Sequence, residues 1–312
     1  MSGFPAIHKS RGHPFVWVGV TTTAAIKRAH QHPSQNKTKG LTMSFDIAAY
    51  LERIELASRP SVTLAGLVRL QTAQMSAIAC ENIRGLLGSS PDLSTAGVWH
   101  NLVVAGQGGN AEELNILLGL ALKSLGFAAR PALGHGQTGL DQSFHSAWIV
   151  SLEGQDWLVD AGLGSLSPFT PILESDAPQA SCGAIFRVIV DQNSGRKILQ
   201  RKTSECWVSL YSYVDSPTAK ADLHTAEEVS HRRGQPNSSA DLIVSIHLPN
   251  GRLSIKNNLA KSEAEIGTRI FELSTFTTFA KTIRQTFKVN YSDEQLLGVW
   301  SLVSGDQERQ AA

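Results

Sequence analysis

Apolar residues in the first third of the chain recur at steps of three and four, a spacing typical of amphipathic helices. The first such pattern begins at Phe45, and Ser44 just before it is the expected N-cap. The second pattern covers residues 64–78. Both helices are therefore expected to bury one apolar face in a common core.

A third helix is predicted to follow Gly108 and Gly109 and to run from Ala111 to Leu125. Its central turns are apolar on nearly all sides, which predicts that the helix is buried. Gly126 follows the last turn and is the expected left-handed C-cap.

The apolar pattern changes to a period of two at Ala128, which indicates β-strands. One hairpin is predicted to turn at residues 153–155, and two more at residues 193–195 and 249–251, the last on the strong turn signal Asn-Gly. A closing helix is predicted over residues 274–287. Helices followed by antiparallel strands indicate an α+β fold rather than alternating βαβ units.

The composition argues against several classes of function. The 312 residues carry a net charge of +1, and no apolar run approaches the roughly 20 residues of a membrane span, so neither nucleic acid nor membrane is an expected partner. The ten histidines show no ligand spacing with cysteine or acidic residues, so no metal is expected. Three cysteines without a CxxC pair favour a reducing compartment, and hence a cytoplasmic location.

Residues 1–42 differ in composition from the rest, because they hold six lysines and arginines but no aspartate or glutamate. This composition predicts a basic, unstructured extension in front of a folded region that begins at residue 43. A transit peptide, which is also poor in acidic residues, is the alternative interpretation.

Three features are candidates for chemistry. The helix start at Gly108 and Gly109 presents backbone N–H groups and a positive dipole end, which suits a thiolate or an oxyanion. His145 and Asp160 lie on partner strands of one predicted hairpin, where the carboxylate fixes the imidazole tautomer and leaves the other nitrogen as a base. Taken singly, each feature is more often structural: a strand histidine usually belongs to a core, and such an aspartate to a turn.

Taken together, the motifs resemble those of the arylamine N-acetyltransferase family over about residues 44–299. The family's opening motif FDxxxYLxRI is similar to residues 45–54, and AIPFENLxxLLG to residues 77–88. Its nucleophile segment LVxxRRGGxCFExNxLL aligns with residues 102–118, and its aspartate segment WLVDxGFG with residues 157–164. Further similarities lie at His145, Val150, Trp207, Leu210, Tyr211 and Asn250-Gly251-Arg252.

The resemblance implies three domains around a cysteine-protease-like core. A helical domain is expected over residues 43–127, a central antiparallel β-barrel over 128–223 and an α/β lid over 224–312. The family transfers an acyl group from acetyl-CoA, or another acyl-CoA, through a cysteine thioester to an aromatic amine. The resemblance therefore implies small-molecule cosubstrates and no bound cofactor, and it leaves the oligomeric state open.

By position in these motifs, His145 is the expected base and Asp160 its orienting partner. The residues expected to line the substrate site are Gly108, Gly109, Asn110 and Glu112. For Glu112 the resemblance leaves two interpretations, a second acid or base and a side chain that complements the helix dipole.

The chain departs from the family at the nucleophile itself. Ala111 occupies the position of the cysteine, and its methyl group cannot form a thioester. Gly106 and Gln107 stand in place of the two arginines of the motif, while Asn110 and Glu112 replace the flanking aromatic residues. Because the changes cluster, natural divergence explains them better than an engineered substitution.

Other segments add to this departure. Cys80 falls at an apolar core position of the family, and Cys182 and Cys206 are expected on or beside strands, so none is expected to replace the nucleophile. The family motif THPxSxF is reduced to a weak match at residues 234–240, which bears on coenzyme A binding.

Two functions follow from the resemblance. The first is a family member impaired in ping-pong acetyl transfer, which would act as a pseudoenzyme, a ligand-binding protein or a regulatory paralogue. The second is an active acyltransferase or amide-forming enzyme in which His145 and Asp160 act as a general base without a covalent intermediate.

Overall fold

A computed structural model describes residues 45–136, 144–215, 241–264 and 267–304. The predicted extension over residues 1–42 and the motif at residues 234–240 lie outside these ranges. Both interpretations therefore stay predictions.

Short helices form the first part of the described chain. They are α1 (Ile47–Arg53), α2 (Leu64–Ala77), α3 (Ile83–Leu86) and α4 (Thr95–Trp99), and a π-helical turn, His100–Val104, continues α4. The predicted N-cap of α1 was wrong, because Asp46, not Ser44, accepts hydrogen bonds from the backbone of Ala48 and Ala49. A carboxylate at the N-cap satisfies two N–H groups that the helix leaves unpaired.

Helix α5 (Ala111–Leu125) lies at the centre of the first hydrophobic cluster, as its apolar pattern predicted. Its start is held by a capping box, in which the Asn110 side chain accepts from the Glu113 N–H and the Glu113 carboxylate accepts from the Asn110 N–H. Its end is the predicted left-handed Gly126, with φ of 88°. Both ends of the helix are thus fixed by local chemistry.

The strands form two antiparallel sheets. In chain order they are β1 (Cys80–Glu81), β2 (Ala128–Gly136), β3 (Phe144–Leu152), β4 (Gln155–Val159), β5 (Ile172–Leu173), β6 (Gln179–Ser181), β7 (Ala184–Val190), β8 (Lys197–Lys202), β9 (Trp207–Asp215), β10 (Ile243–Leu248), β11 (Gly251–Lys256), β12 (Leu259–Ala264) and β13 (Gly267–Glu272). The eight strands β2–β9 form a barrel-like sheet in the order β5-β4-β3-β2-β9-β8-β7-β6. The other five form a second sheet in the order β1-β10-β11-β12-β13.

Helix α5 packs against strand β3 of the barrel-like sheet. The contact is close because Gly119 lacks a side chain: a Cβ there would lie 2.0 Å from the Cζ2 atom of Trp148. The indole Nε1 of Trp148 donates to the backbone carbonyl of Asn115 at 2.7 Å. This contact sets the distance between the helix and the strand that carries His145.

The C-terminal part differs from the prediction. The helix expected over residues 274–287 begins later, as α6 (Phe276–Lys281), and becomes a π-helical turn at Thr282–Thr286. A further helix, α7 (Asp293–Ser304), was not predicted. These elements cover one face of the second sheet and form a separate hydrophobic cluster with Val244, Ile246 and Ile255.

The α+β class is confirmed, with helices first and a barrel-like antiparallel sheet after them. The domain boundaries at residues 127 and 223 stay predictions. Within the described ranges, no helix combines the length and the apolar character that crossing a bilayer requires.

Candidate active site

His145 and Asp160 meet where strands β3 and β4 pair. Trp148 lies opposite Val159, and this register places Asp160 next to Ala147. Because side chains alternate along a strand, residues 145 and 147 share a face, and the Asp160 carboxylate therefore reaches His145 diagonally. The distance from His145 Nε2 to Asp160 Oδ2 is 2.8 Å, as the predicted hairpin requires.

The Asp160 carboxylate accepts four hydrogen bonds. Oδ2 accepts from His145 and from the hydroxyl of Tyr211 at 2.9 Å, while Oδ1 accepts from Asn115 Nδ2 at 2.9 Å and from the Gly162 N–H at 2.8 Å. Burial alone would raise the pKa of Asp160, but the charge and hydrogen bond of His145 and the other donors lower it below its ordinary value. The carboxylate is thus held ionised in a site that solvent does not reach.

The bond to Asp160 decides how the imidazole can act. Nε2 is engaged by the carboxylate, so Nδ1 is the nitrogen through which the ring would exchange a proton with a substrate. The Tyr211 ring lies against the imidazole, with ring centroids 4.5 Å apart. Ring packing and the carboxylate bond together fix the orientation of His145.

Ala111 is the first residue of α5 and lies on the same helix face as Asn115, one turn away. Gly162 packs directly against this turn: a Cβ at Gly162 would lie 2.5 Å from Asn115 Nδ2 and 2.7 Å from the Ala111 carbonyl oxygen. The helix start therefore adjoins the segment that leaves Asp160. The backbone of Ala111 thus lies against Gly162, two residues after Asp160.

The predicted substrate-site residues surround this helix start. Gly109 pairs with Cys80, donating to the Ala79 carbonyl at 3.1 Å and accepting from the Glu81 N–H at 2.9 Å. A Cβ at Gly108 would lie 2.5 Å from the side chain of Glu81. Much of the backbone that was expected to face a substrate is therefore used within the protein.

The polar side chains of this group have different surroundings. Asn110 is the N-cap, so its side-chain oxygen is already occupied by the Glu113 N–H at 2.9 Å. Glu112 is buried in the first turn of α5. A role of Glu112 as an acid or base stays a prediction.

Two arginines hold the loop in front of α5. Arg53 donates from Nε to the Leu102 carbonyl at 2.8 Å and from Nη1 to the Ala77 carbonyl at 2.9 Å. Arg84 forms an ion pair with Glu113 and donates to Gln107 Oε1 at 2.8 Å. A guanidinium from α3 thus supports a loop whose own motif arginines are replaced by Gly106 and Gln107.

Cys80 lies beside the start of α5, because it pairs with Gly109. Its sulfur lies 3.6 Å from where Gly164 would carry a Cβ. Burial, followed by the charges of Glu81, Glu112 and nearby carboxylates, raises the pKa of this thiol to about 12. The thiol is therefore protonated at neutral pH, which disfavours it as a nucleophile.

Sequence reasoning gave no role to Asn115, Tyr211 or Arg84. Each acts across a long separation in the chain; for example, Tyr211 is 51 residues from its partner Asp160. Asn115 was visible only as the asparagine of the nucleophile motif. An asparagine within an otherwise apolar helix, one turn after Ala111, was the signal that could have indicated a buried polar contact.

Comparison with known proteins gives the family. A family model described as N-acetyltransferase matches residues 63–296, three quarters of the chain. The chain belongs to the arylamine N-acetyltransferase family. The resemblance drawn from the motifs is thereby confirmed.

Curated relatives and solved structures agree with this assignment. Arylamine N-acetyltransferase of Mycobacterium tuberculosis is 26% identical over 261 residues, which cover 80% of this chain and 92% of that protein. Proansamycin X synthase of Amycolatopsis mediterranei is 29% identical over 191 residues, 59% of this chain and 73% of that protein. The structure of Mycobacterium marinum arylamine N-acetyltransferase in complex with CoA superposes with a TM-score of 0.72 at 24% identity, covering 83% of this chain and 99% of that one, which confirms the fold.

Proposed function

We propose that this chain is an arylamine N-acetyltransferase-like protein in which ping-pong acetyl transfer is impaired. The supporting observation is that α5 starts at Ala111, whose backbone packs against Gly162, two residues after the Asp160 of an assembled His145–Asp160 pair. Ping-pong transfer requires a nucleophile that carries the acyl group between donor and acceptor. An alanine supplies none, and the protonated thiol of Cys80 is a poor replacement.

In this proposal the remaining residues keep the roles that the family motif assigns. His145 holds or moves a proton at Nδ1, and Asp160 orients the ring through Nε2. Coenzyme A in the Mycobacterium marinum complex supports an acyl-CoA as cosubstrate or ligand, and the relatives named for arylamine acetylation support an aromatic amine as acceptor.

Restoring the nucleophile tests the proposal. The wild type and Ala111→Cys are each incubated with acetyl-CoA, first alone and then with an arylamine, while free CoA and protein mass are followed. We expect Ala111→Cys to gain an acetyl adduct and to release CoA, and the wild type to do neither. Ala111→Ser is the control, because its hydroxyl is a far weaker nucleophile than a thiolate near neutral pH.

Two results would contradict the impaired function. One is arylamine acetylation by the wild type at the rate of Ala111→Cys. The other is an acetyl adduct on Cys80 in the wild type, checked by peptide mapping and by its loss in Cys80→Ser.

A second function is favoured by the intact pair. The Asp160 carboxylate accepts four hydrogen bonds, one of them from His145, and this holds the imidazole in place. In this second function His145 acts as a general base that activates the acceptor for direct acyl transfer. In that case the wild type transfers acyl groups without any protein adduct, and His145→Ala abolishes the rate. An unchanged rate in His145→Ala would exclude this mechanism.

A further inference from the structure

The polar face of the second sheet carries charges that the candidate active site does not use. His247 on β10 lies opposite Arg252 on β11, so their side chains share one face of the sheet. Arg252 pairs with Glu263 on β12 at 2.9 Å, and Lys261 contacts the same carboxylate at 3.1 Å. This face thus presents two cations that share one carboxylate.

A third cation approaches from the barrel-like sheet. Arg201 on β8 lies opposite the fully buried Phe186, so it is on the inner face of that sheet. The two sheets meet nearby, because the Cys182 sulfur, in the turn between β6 and β7, donates to the carbonyl of Leu248 at the end of β10 at 3.5 Å. Burial lowers the pKa of Arg201 and the charge of Arg252 lowers it further, while the charge of Glu263 acts in the opposite direction.

Arg201 forms no ion pair in the described part of the chain, although the charge of Glu263 acts on it. The ion pairs found there include none with Arg201, and the nearby Glu263 carboxylate is engaged by Arg252 and Lys261. A half-buried guanidinium within the field of a second guanidinium is unfavourable, since desolvation and repulsion act together and Glu263 offsets only part of them. An anion between them would remove both penalties.

His247 points to the same conclusion independently. It is 4% exposed and stacks on Phe169 with ring centroids 5.6 Å apart, yet among the described residues its Nε2 has no hydrogen-bond partner. Burial first, and Arg252 next, lower the pKa of this imidazole to about 4, so it is neutral at pH 7. A neutral Nε2 accepts a hydrogen bond, either from the P–O–H group of inorganic phosphate or, for a dianionic monoester that has no such group, from a water bound to the phosphate.

We propose that Arg201 and Arg252 bind a phosphate group where the barrel-like sheet meets the second sheet, with His247 as an additional acceptor. Arg201, Arg252 and Lys261 against Glu263 leave two positive charges, which match a dianionic phosphate better than a carboxylate. Free phosphate and the phosphate monoester of a nucleotide share this chemistry. The site does not use residue 111 and is independent of the proposed function.

The experiment is calorimetric titration of inorganic phosphate into the full chain at constant ionic strength. We expect saturable binding, about tenfold weaker in Arg201→Gln, the size expected for one charge-assisted contact. Arg269→Gln is the matched control, because this exposed arginine on β13 forms no ion pair in the described ranges. Absence of saturable binding, or equal weakening in both variants, would overturn the proposal.

A stability measurement separates binding from a structural role. In phosphate-free buffer, Arg201→Gln should melt no lower than the wild type, because it relieves repulsion from Arg252. Added phosphate should then raise the melting temperature of the wild type more than that of the variant. A variant that is already unfolded without phosphate would show that Arg201 is structural and would refute the site.

The source of the phosphate is identified by competition. CoA and 3′-dephospho-CoA are titrated against bound inorganic phosphate. Displacement by CoA alone assigns the site to a nucleotide phosphate monoester, and displacement by neither assigns it to free phosphate.

Discussion

Asn115 donates one amide hydrogen to Asp160 Oδ1 at 2.9 Å, although the two residues are 45 positions apart in the chain. Its Nδ2 also donates to the Ser146 carbonyl at 2.6 Å, and its oxygen accepts from the Ala161 N–H at 2.9 Å. One side chain of α5 therefore ties together both strands that carry the His145–Asp160 pair. The geometry of the pair depends on the helix as much as on the hairpin.

Replacing Asn115→Ala should therefore destabilise the protein strongly. The Ser146 carbonyl and the Ala161 N–H would lose their buried partner, and each unsatisfied group costs about 1–3 kcal/mol. We expect a loss on the order of 3 kcal/mol in the free energy of unfolding by urea. Asn290→Ala, which removes an exposed bond to the Ala105 carbonyl, is the control and should change stability by less than about 1 kcal/mol. Equal losses in the two variants would contradict this role.

Gly162→Ala should also destabilise, for a steric reason. The added methyl would lie 2.5 Å from Asn115 Nδ2 and 2.7 Å from the Ala111 carbonyl, so α5 must move away from Asp160. Overpacking of this kind costs about 1–3 kcal/mol in thermal or urea unfolding. Gly85→Ala adds the same methyl where nothing lies within 4 Å, and should be neutral or stabilising. A neutral Gly162→Ala would show that the contact is loose.

The lowered pKa of Asp160 predicts a pH dependence of stability. A carboxyl whose pKa is lower in the folded state contributes stability above its unfolded pKa of about 3.9 and loses that contribution as pH falls through the folded pKa. Asp160→Asn should therefore be less stable than the wild type at pH 7, and the difference should shrink towards pH 3. Urea unfolding at pH 7, 5, 4 and 3 measures it. A constant difference would mean that ionisation of Asp160 contributes nothing.

Cys80 should be the slowest of the three thiols to react with a disulfide reagent at pH 8. Its pKa of about 12 leaves very little thiolate, whereas Cys206 is exposed. Rapid labelling should occur at Cys206, and the slowest phase should disappear in Cys80→Ser. Reaction of Cys80 before Cys206 would contradict the raised pKa and would reopen its candidacy as a nucleophile.

Local patterns predicted the elements that local chemistry controls. Helix α5, its cap at Gly126 and the Asn250-Gly251 turn all depend on residues close in the chain. The predicted start of α1 was wrong because two nearby residues, Ser44 and Asp46, are both suitable N-caps. The structure uses Asp46, two positions after the expected residue. Sequence order alone did not distinguish these caps.

The site was predicted in part for the same reason. His145 and Asp160 share a hairpin, so their proximity follows from a period of two and a short turn. Tyr211, Asn115 and Arg84 reach the site through the folding of distant segments, which periodicity does not encode. The π-helical turn after α6 was not predicted either, and its buried residue Ile283 belongs to the hydrophobic cluster of the second sheet.

The capping box at the start of α5 uses the side chains of Asn110 and Glu113 and leaves that of residue 111 out of every bond that forms the helix. Folding of the first turn is therefore indifferent to whether a thiol or a methyl occupies this position. Selection can therefore act on residue 111 without disturbing the caps that begin the helix.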